Sequence, residues 1–140
     1  MFKVSYYPGA VFALLCFFLS CSPLISPYDH YSYIQTTSLK VEALHLMDMA
    51  TEDASQHEAE IKAVSMSIEK IQEYQLHRPK NTLTSDQWKI LSNPDGNLFG
   101  GFLREWRKKK VLGRFFIAAK QEQVGKAFDE IIKLEAKKIK

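Results

Sequence analysis

From Ile34 to Leu76 the chain contains neither proline nor glycine, and a folded protein sustains so long a stretch without those two interrupters mainly as helix. Apolar or small residues recur within it at Ile34, Thr37, Val41, Leu44, Met47, Thr51 and Ala54, then at Ile61, Val64, Ile68 and Ile71. The steps alternate between three and four, the repeat of one helical face, with a gap at Glu58. This spacing predicts one amphipathic helix ending before Pro79 and about 60 Å long at the standard rise per residue. Its weakest point is Thr51 to Gln56, where Thr, Asp and Ser have low helix propensity and a bend or restart is cheapest.

The second half of the chain reads as shorter pieces. Leu83-Thr84-Ser85-Asp86-Gln87-Trp88 predicts a short helix ending near Leu91, with Thr84 and Gln87 as a capping box and Leu83 packed on Trp88 as a staple. Asn93-Pro94-Asp95-Gly96 supplies the residues of a type I turn. Leu98 to Lys110 places Phe99, Phe102, Leu103 and Trp106 on one helical face, while Gly100 and Gly101 weaken its first turn. After Gly113, a last helix from Arg114 to Lys138 carries Phe116, Ile117, Val124, Ala127, Phe128, Ile131 and Leu134 on one stripe. Glu122 with Lys126, and Asp129 with Lys133, are expected to pair on its outer face.

No strand pattern competes, so the fold class is all-α. A single apolar stripe must be covered along its length, and the only other long helix is the last one. The expected architecture is an antiparallel hairpin of two long helices with two short helices in the connector. Charge agrees with that arrangement. Six acids and no Lys or Arg lie between Val41 and Ile61, whereas twelve bases face five acids from Arg104 to Lys140. With Leu76 beside Phe115, the hairpin would set Lys133, Lys137 and Lys138 along the acids from Asp53 to Glu60. Pairing of the two regions between chains, giving a homo-oligomer, is the alternative.

At the N-terminus, Lys3 precedes an apolar run from Ala10 to Leu19, and Ser20-Cys21 follows it. A basic start, a short apolar run and small residues at its end are the layout of an export signal. The segment resembles the precursors of bacterial lipoproteins, in which a cysteine preceded by a small residue is lipidated on its thiol and becomes the new N-terminus. Phe18 stands where that pattern usually has Leu. The resemblance covers about the first 22 residues, and it implies a signal peptide over 1–20, lipid attachment at Cys21, a tether over 21–28 and one helical domain over 29–140. Ser22 rather than Asp after the cysteine implies, on the sorting pattern of enteric bacteria, an outer-membrane address facing the periplasm. Two other readings of the leader stand beside it. No charged residue occurs from Val4 through Tyr28, enough for a retained anchor were it not for Pro8 and Pro23, and cleavage near Ser22 without lipidation is the third. All three carry the body out of the cytoplasm. The chain's two cysteines, Cys16 and Cys21, leave the mature body no internal disulfide.

Chemistry-bearing patterns in the body are sparse. Glu42 and His45 share a helical face at the spacing of di-iron bundles, but no second copy exists. Asp53 with His57, and His45 with Met47 and Met49, are weaker candidates for a metal; solvated helix residues are the expectation, with no metal and no cofactor. No Gly-x-Ser-x-Gly, phosphate loop or nucleophile–base motif is present, so an enzyme is not expected. The cluster Arg104, Arg107, Lys108, Lys109 and Lys110, beside Phe102 and Trp106, is the composition of a surface for an anionic lipid headgroup, a cell-wall polymer or an acidic envelope protein. A capping helix with its bases in water is the plainer reading, and nucleic acid is not an expected partner of an exported domain. The function expected from these features is that of a small envelope-anchored helical protein with a structural or interaction role, or a helical binding domain for a metal or amphipathic ligand.

Overall fold

The computed structural model describes residues 25–139; the expected signal peptide, Cys21 and the first part of the tether lie outside the described residues. These contain five α-helices and no strand: α1 (His30–Asp48), α2 (Glu58–His77), α3 (Thr82–Ser92), α4 (Phe99–Lys109) and α5 (Arg114–Ala136). Short 3-10 turns occupy Met49–Thr51, Ala54–Gln56 and Lys137–Ile139. The all-α class is as expected, and no helix among the described residues is long and apolar enough to cross a membrane.

The single long first helix does not form. The chain breaks where propensity is lowest, and α2 folds back against α1. Asp53 holds the reversal by accepting from the N–H and hydroxyl of Ser55, each at 2.9 Å. A helix break frees backbone groups that need partners, and the segment between α4 and α5 supplies them. Leu112 N–H donates to the Ala50 carbonyl at 2.8 Å, and Ala54 N–H to the Lys110 carbonyl at 2.9 Å. Ala50 and Ala54 are both buried, and their small side chains let the two backbones approach. With this second chain segment satisfying the reversal, the bend is favoured over a rod whose stripe would stay wet.

The buried face of α1 also differs from the expected one. Ile34 and Val41 are 44% and 68% exposed, while Ser32, Thr36, Leu39, Ala43, Leu46 and Met47 are buried. This face sets Leu39, Leu46 and Met47 among the small Ser32, Thr36 and Ala43, which let neighbouring helices approach, and its hydroxyls are satisfied locally: Thr36 Oγ1 donates to the Ser32 carbonyl at 2.7 Å. The α2 stripe is as expected, with Ile61, Val64, Ile68 and Ile71 buried.

Four helices then close a ring of contacts, α1 on α2, α2 on α3, α3 on α5 and α5 on α1. The hairpin of two long helices is thus replaced by a four-helix arrangement within one chain, around one continuous core. Trp88 of α3 meets Phe128 of α5 edge to face at 5.8 Å between ring centroids. The connector aromatics join that core rather than forming a separate cap, with Phe102 stacked on Phe116 at 6.3 Å. Gly100 and Gly101 are where α4 crosses the preceding turn. A Cβ on Gly100 would sit 2.1 Å from the Ser92 carbonyl oxygen, and one on Gly101 1.9 Å from that of Gly96, so no larger residue fits without moving backbone. The Asn93–Gly96 turn forms, with Gly96 N–H donating to the Asn93 carbonyl at 3.0 Å.

Two local expectations are corrected. Thr84 does not cap α3, because Asn81 occupies the N-cap and the buried Thr84 hydroxyl instead lies 3.3 Å from Lys138 Nζ; Leu83 is 58% exposed and staples nothing. Lys126 pairs with Glu122 at 2.6 Å as expected, but Lys133 pairs with Glu130 at 2.9 Å. Asp129 is drawn away by Lys40 of α1, 2.5 Å distant.

α1 and α5 run antiparallel, tied by Lys40–Asp129 and by Gln121 Nε2 donating to the Leu44 carbonyl at 3.0 Å. The proximal end of the bundle therefore holds residues 25–29, the α2–α3 turn and the end of α5. The distal end holds the 49–57 reversal and residues 107–115. The length of α1 separates the two ends by about 28 Å.

Candidate functional site

Residues 107–115 form the distal surface. Arg107 is held by Glu58 through two hydrogen bonds of 3.0 Å, and that donation keeps the Glu58 carboxyl below its ordinary value. Arg104 lies 3.3 Å from Asp95 and Lys109 3.4 Å from Glu105. Lys109 and Lys120 stand over the Phe116 ring at 5.6 and 5.9 Å. Of the five basic residues singled out in the sequence, three thus carry acidic partners, and the structure brings the whole set to one end. Lys108 is exposed and makes no ion pair among the described residues. Lys110, at φ 66°, turns the chain out of α4.

The acids at this end explain the charge pattern. The acidic stretch does meet bases, but these are Arg107 and Lys110, not Lys133, Lys137 and Lys138 as the hairpin register required. Leu76 lies at the opposite end from Phe115. Trp106 fixes the arrangement, its buried indole N–H donating to the Glu52 carbonyl at 3.0 Å. Sequence reasoning had not singled out the most unusual member of this surface. Phe115 is 97% exposed, and Val111 is 50% exposed. Its signal was its place between Arg114 and Phe116, outside the stripe that Phe116 and Ile117 begin.

The proximal end carries a polar network that the sequence reading did not anticipate. Glu135 and Lys138 of the α5 end are 2.7 Å apart, each side chain only 2% exposed. Lys138 Nζ also donates to Ser26 Oγ at 2.9 Å and Asn81 Oδ1 at 3.0 Å. Arg78, 10% exposed, donates to Glu135 Oε2 at 3.3 Å, Ser32 Oγ at 3.2 Å and the Pro27 carbonyl at 2.5 Å. Asn81 Nδ2 donates to Gln75 Oε1 at 2.6 Å, and Gln75 Nε2 to Ser32 Oγ at 2.7 Å. Glu135 Oε1 accepts the Asp29 N–H at 2.7 Å. Burial opposes ionisation of Asp29 more than any other single influence. The hydrogen bonds from the Tyr74 hydroxyl and the Ser32 N–H, together with the Arg78 charge, outweigh it and hold the carboxyl below 3.8. Two cations thus face two carboxylates, which is how charge is tolerated in a core.

A shallow groove of about 450 Å³ runs between α2 and α4, with Ile68, Phe99 and Leu103 as its floor and Glu69, Gln72, Arg104 and Arg107 on its rim. No cluster among the described residues has the composition of a metal site. Glu42 and His45 are exposed on α1, and His57 lies 2.8 Å from Glu52 with its ring 5.7 Å from that of Trp106.

Comparison with protein-family models, with curated proteins and with solved structures found no match for this chain.

Proposed function

We propose that this chain is a small helical lipoprotein of a bacterial envelope, anchored through Cys21 at the outer membrane and facing the periplasm, where it acts through protein contact. The observation that carries the interaction role is Phe115, 97% exposed at the distal end next to Arg114 and close in sequence to Lys108 and Val111. An isolated exposed ring is unremarkable on its own; one accompanied by bases that make no ion pair among the described residues, and by a second apolar residue, has the make-up of an interface centre, where aromatic and arginine side chains concentrate. Its complement is an acidic envelope protein offering an apolar cleft. Anchorage is supported by the apolar run ending in Ser20-Cys21.

Mass spectrometry of the membrane fraction tests the anchor: wild-type protein should begin at Cys21 and carry a diacylglyceryl increment, and Cys21→Ser protein should keep its leader. A photoreactive residue at position 115 tests the contact. A discrete cross-linked acidic envelope protein, lost when Lys108 and Arg114 are reversed to Glu, is expected; cross-linking only to a second copy of the chain would make the surface a homo-oligomer interface instead.

The groove between α2 and α4 favours a second reading, a binding domain for an amphipathic anion whose apolar part lies on Phe99 and Leu103 and whose charge meets Arg104 and Arg107. A rise in melting temperature with a long-chain fatty acid, abolished by Arg104→Ala, would favour it.

A further inference from the structure

We infer that the proximal end of the bundle rests on the headgroup layer of the same bilayer that holds the lipid on Cys21, so that the distal surface is presented to the aqueous space. This rests on the anchoring reading above and adds an orientation to it.

The first ground is that the chain reaches the body at a fastened point. Residues 26–29 are held along their length. Ser26 N–H donates to the Lys80 carbonyl at 2.9 Å, Ser26 Oγ to Asn81 Oδ1 at 2.8 Å, Arg78 to the Pro27 carbonyl at 2.5 Å, and Asp29 N–H to Glu135 at 2.7 Å. These bonds reach the α2–α3 turn and the end of α5 together, so the lead-in cannot swing without breaking a buried network.

The second ground is length. Cys21 and Ile25 are separated by four Cα steps, at most about 14 Å when fully extended. The lipid's glycerol attaches at Cys21, and the distal surface is about 28 Å beyond the fastened point along the helices. A tether this short, ending on a fixed point, keeps the proximal end within reach of the headgroups and the distal end beyond them.

The third ground is the chemistry of the proximal surface. Ile25 and Leu83 are exposed at 44% and 58% and line one small crevice with Leu134 and with Lys138, whose ammonium Glu135 holds. Lys137 is exposed beside it; of the acids of this end, Asp29 and Glu135 are turned inward onto Arg78 and Lys138, while the exposed Glu73 and Asp86 are paired with His77 and Lys89. Exposed apolar side chains beside a lysine suit contact with a headgroup layer.

The body has no cysteine after Cys21, so a label can be placed at will on the full-length protein. Leu83→Cys and Lys108→Cys change exposed side chains and leave the fold intact. Each lipidated variant, fluorescently labelled and reconstituted in phosphatidylethanolamine–phosphatidylglycerol vesicles bearing a headgroup quencher, reports its own height. Several-fold stronger quenching at position 83 than at 108 is expected. Equal quenching, or stronger quenching at 108, overturns the orientation. The parent protein separates this failure from that of anchorage: a thioether at Cys21 leaves it unable to take label, whereas label uptake by the parent rejects the anchor and the orientation with it.

Discussion

The two ends of this bundle use the same chemistry to different effect. At the proximal end Arg78, Lys138, Asp29 and Glu135 are buried or nearly so and share hydrogen bonds with Ser26, Ser32, Gln75 and Asn81. At the distal end Arg107–Glu58 and Arg104–Asp95 lie about half exposed or more. Burial raises the stake of an ion pair in both directions, since the partner left behind cannot turn to water. The proximal network therefore fastens the chain where it joins the body, while the distal pairs trim the charge of a surface that remains available.

Breaking the proximal network should have the largest effect. Glu135→Ala leaves Lys138 and Arg78 buried without their shared carboxylate and should destabilise the protein by about 3–5 kcal/mol, read as a shift in the urea midpoint. Glu135→Gln keeps an acceptor for the Asp29 N–H and should cost less than the alanine variant. An equal loss for both would mean that the retained acceptor adds nothing to the charge, and no loss for the glutamine variant would mean that the charge is irrelevant.

The link from the buried Trp106 indole to the distal reversal comes next. Trp106→Phe preserves most of the ring but orphans the Glu52 carbonyl that its indole N–H satisfies. A loss of about 1–3 kcal/mol is expected, together with faster amide exchange in the 49–57 reversal.

The exposed pair should matter least. Arg107→Ala should cost at most about 1 kcal/mol, a deficit that shrinks with added salt. Glu58 has a lowered pKa because of the hydrogen bond from Arg107. A folded-state value below the unfolded one stabilises at higher pH and is lost as pH falls through the folded-state value. The deficit of the variant should therefore be full at pH 7 and close progressively below pH 4.5, in urea titrations run side by side with the parent.

Much of the fold was legible because it depends on local rules. The boundaries of α4 and α5, the Asn93–Gly96 turn and the α2 stripe follow from glycine, proline and the helical repeat. The buried face of α1 was not, since Ser32, Thr36 and Ala43 carry too little apolar area to outweigh Ile34 and Val41 in any hydrophobic pattern; only the close approach of α2 and α5 selects them. Gly100 and Gly101 read as helix-weakening, while their necessity comes from a backbone crossing that no local window contains. The basic cluster was visible as composition, but Phe115 gained its meaning only once Phe116 was seen to pack on the core and Phe115 to stand 97% exposed beside it. Glu135 and Lys138 could have been noticed: steps of three and four from Val124 through Phe128 and Ile131 land on both. What the register could not supply was their partners, which come from the α2–α3 turn and residues 26–29, far away in sequence.

Hydrogen exchange on the full-length protein tests most directly whether the chain is fastened where it meets the body. The amides of Ser26 and Asp29, which donate to Lys80 and Glu135, should exchange as slowly as those of the α1 and α5 core, and Glu135→Gln should release Asp29 first. Exchange of residues 25–29 at the rate of an unstructured peptide, with the helices still protected, would contradict it.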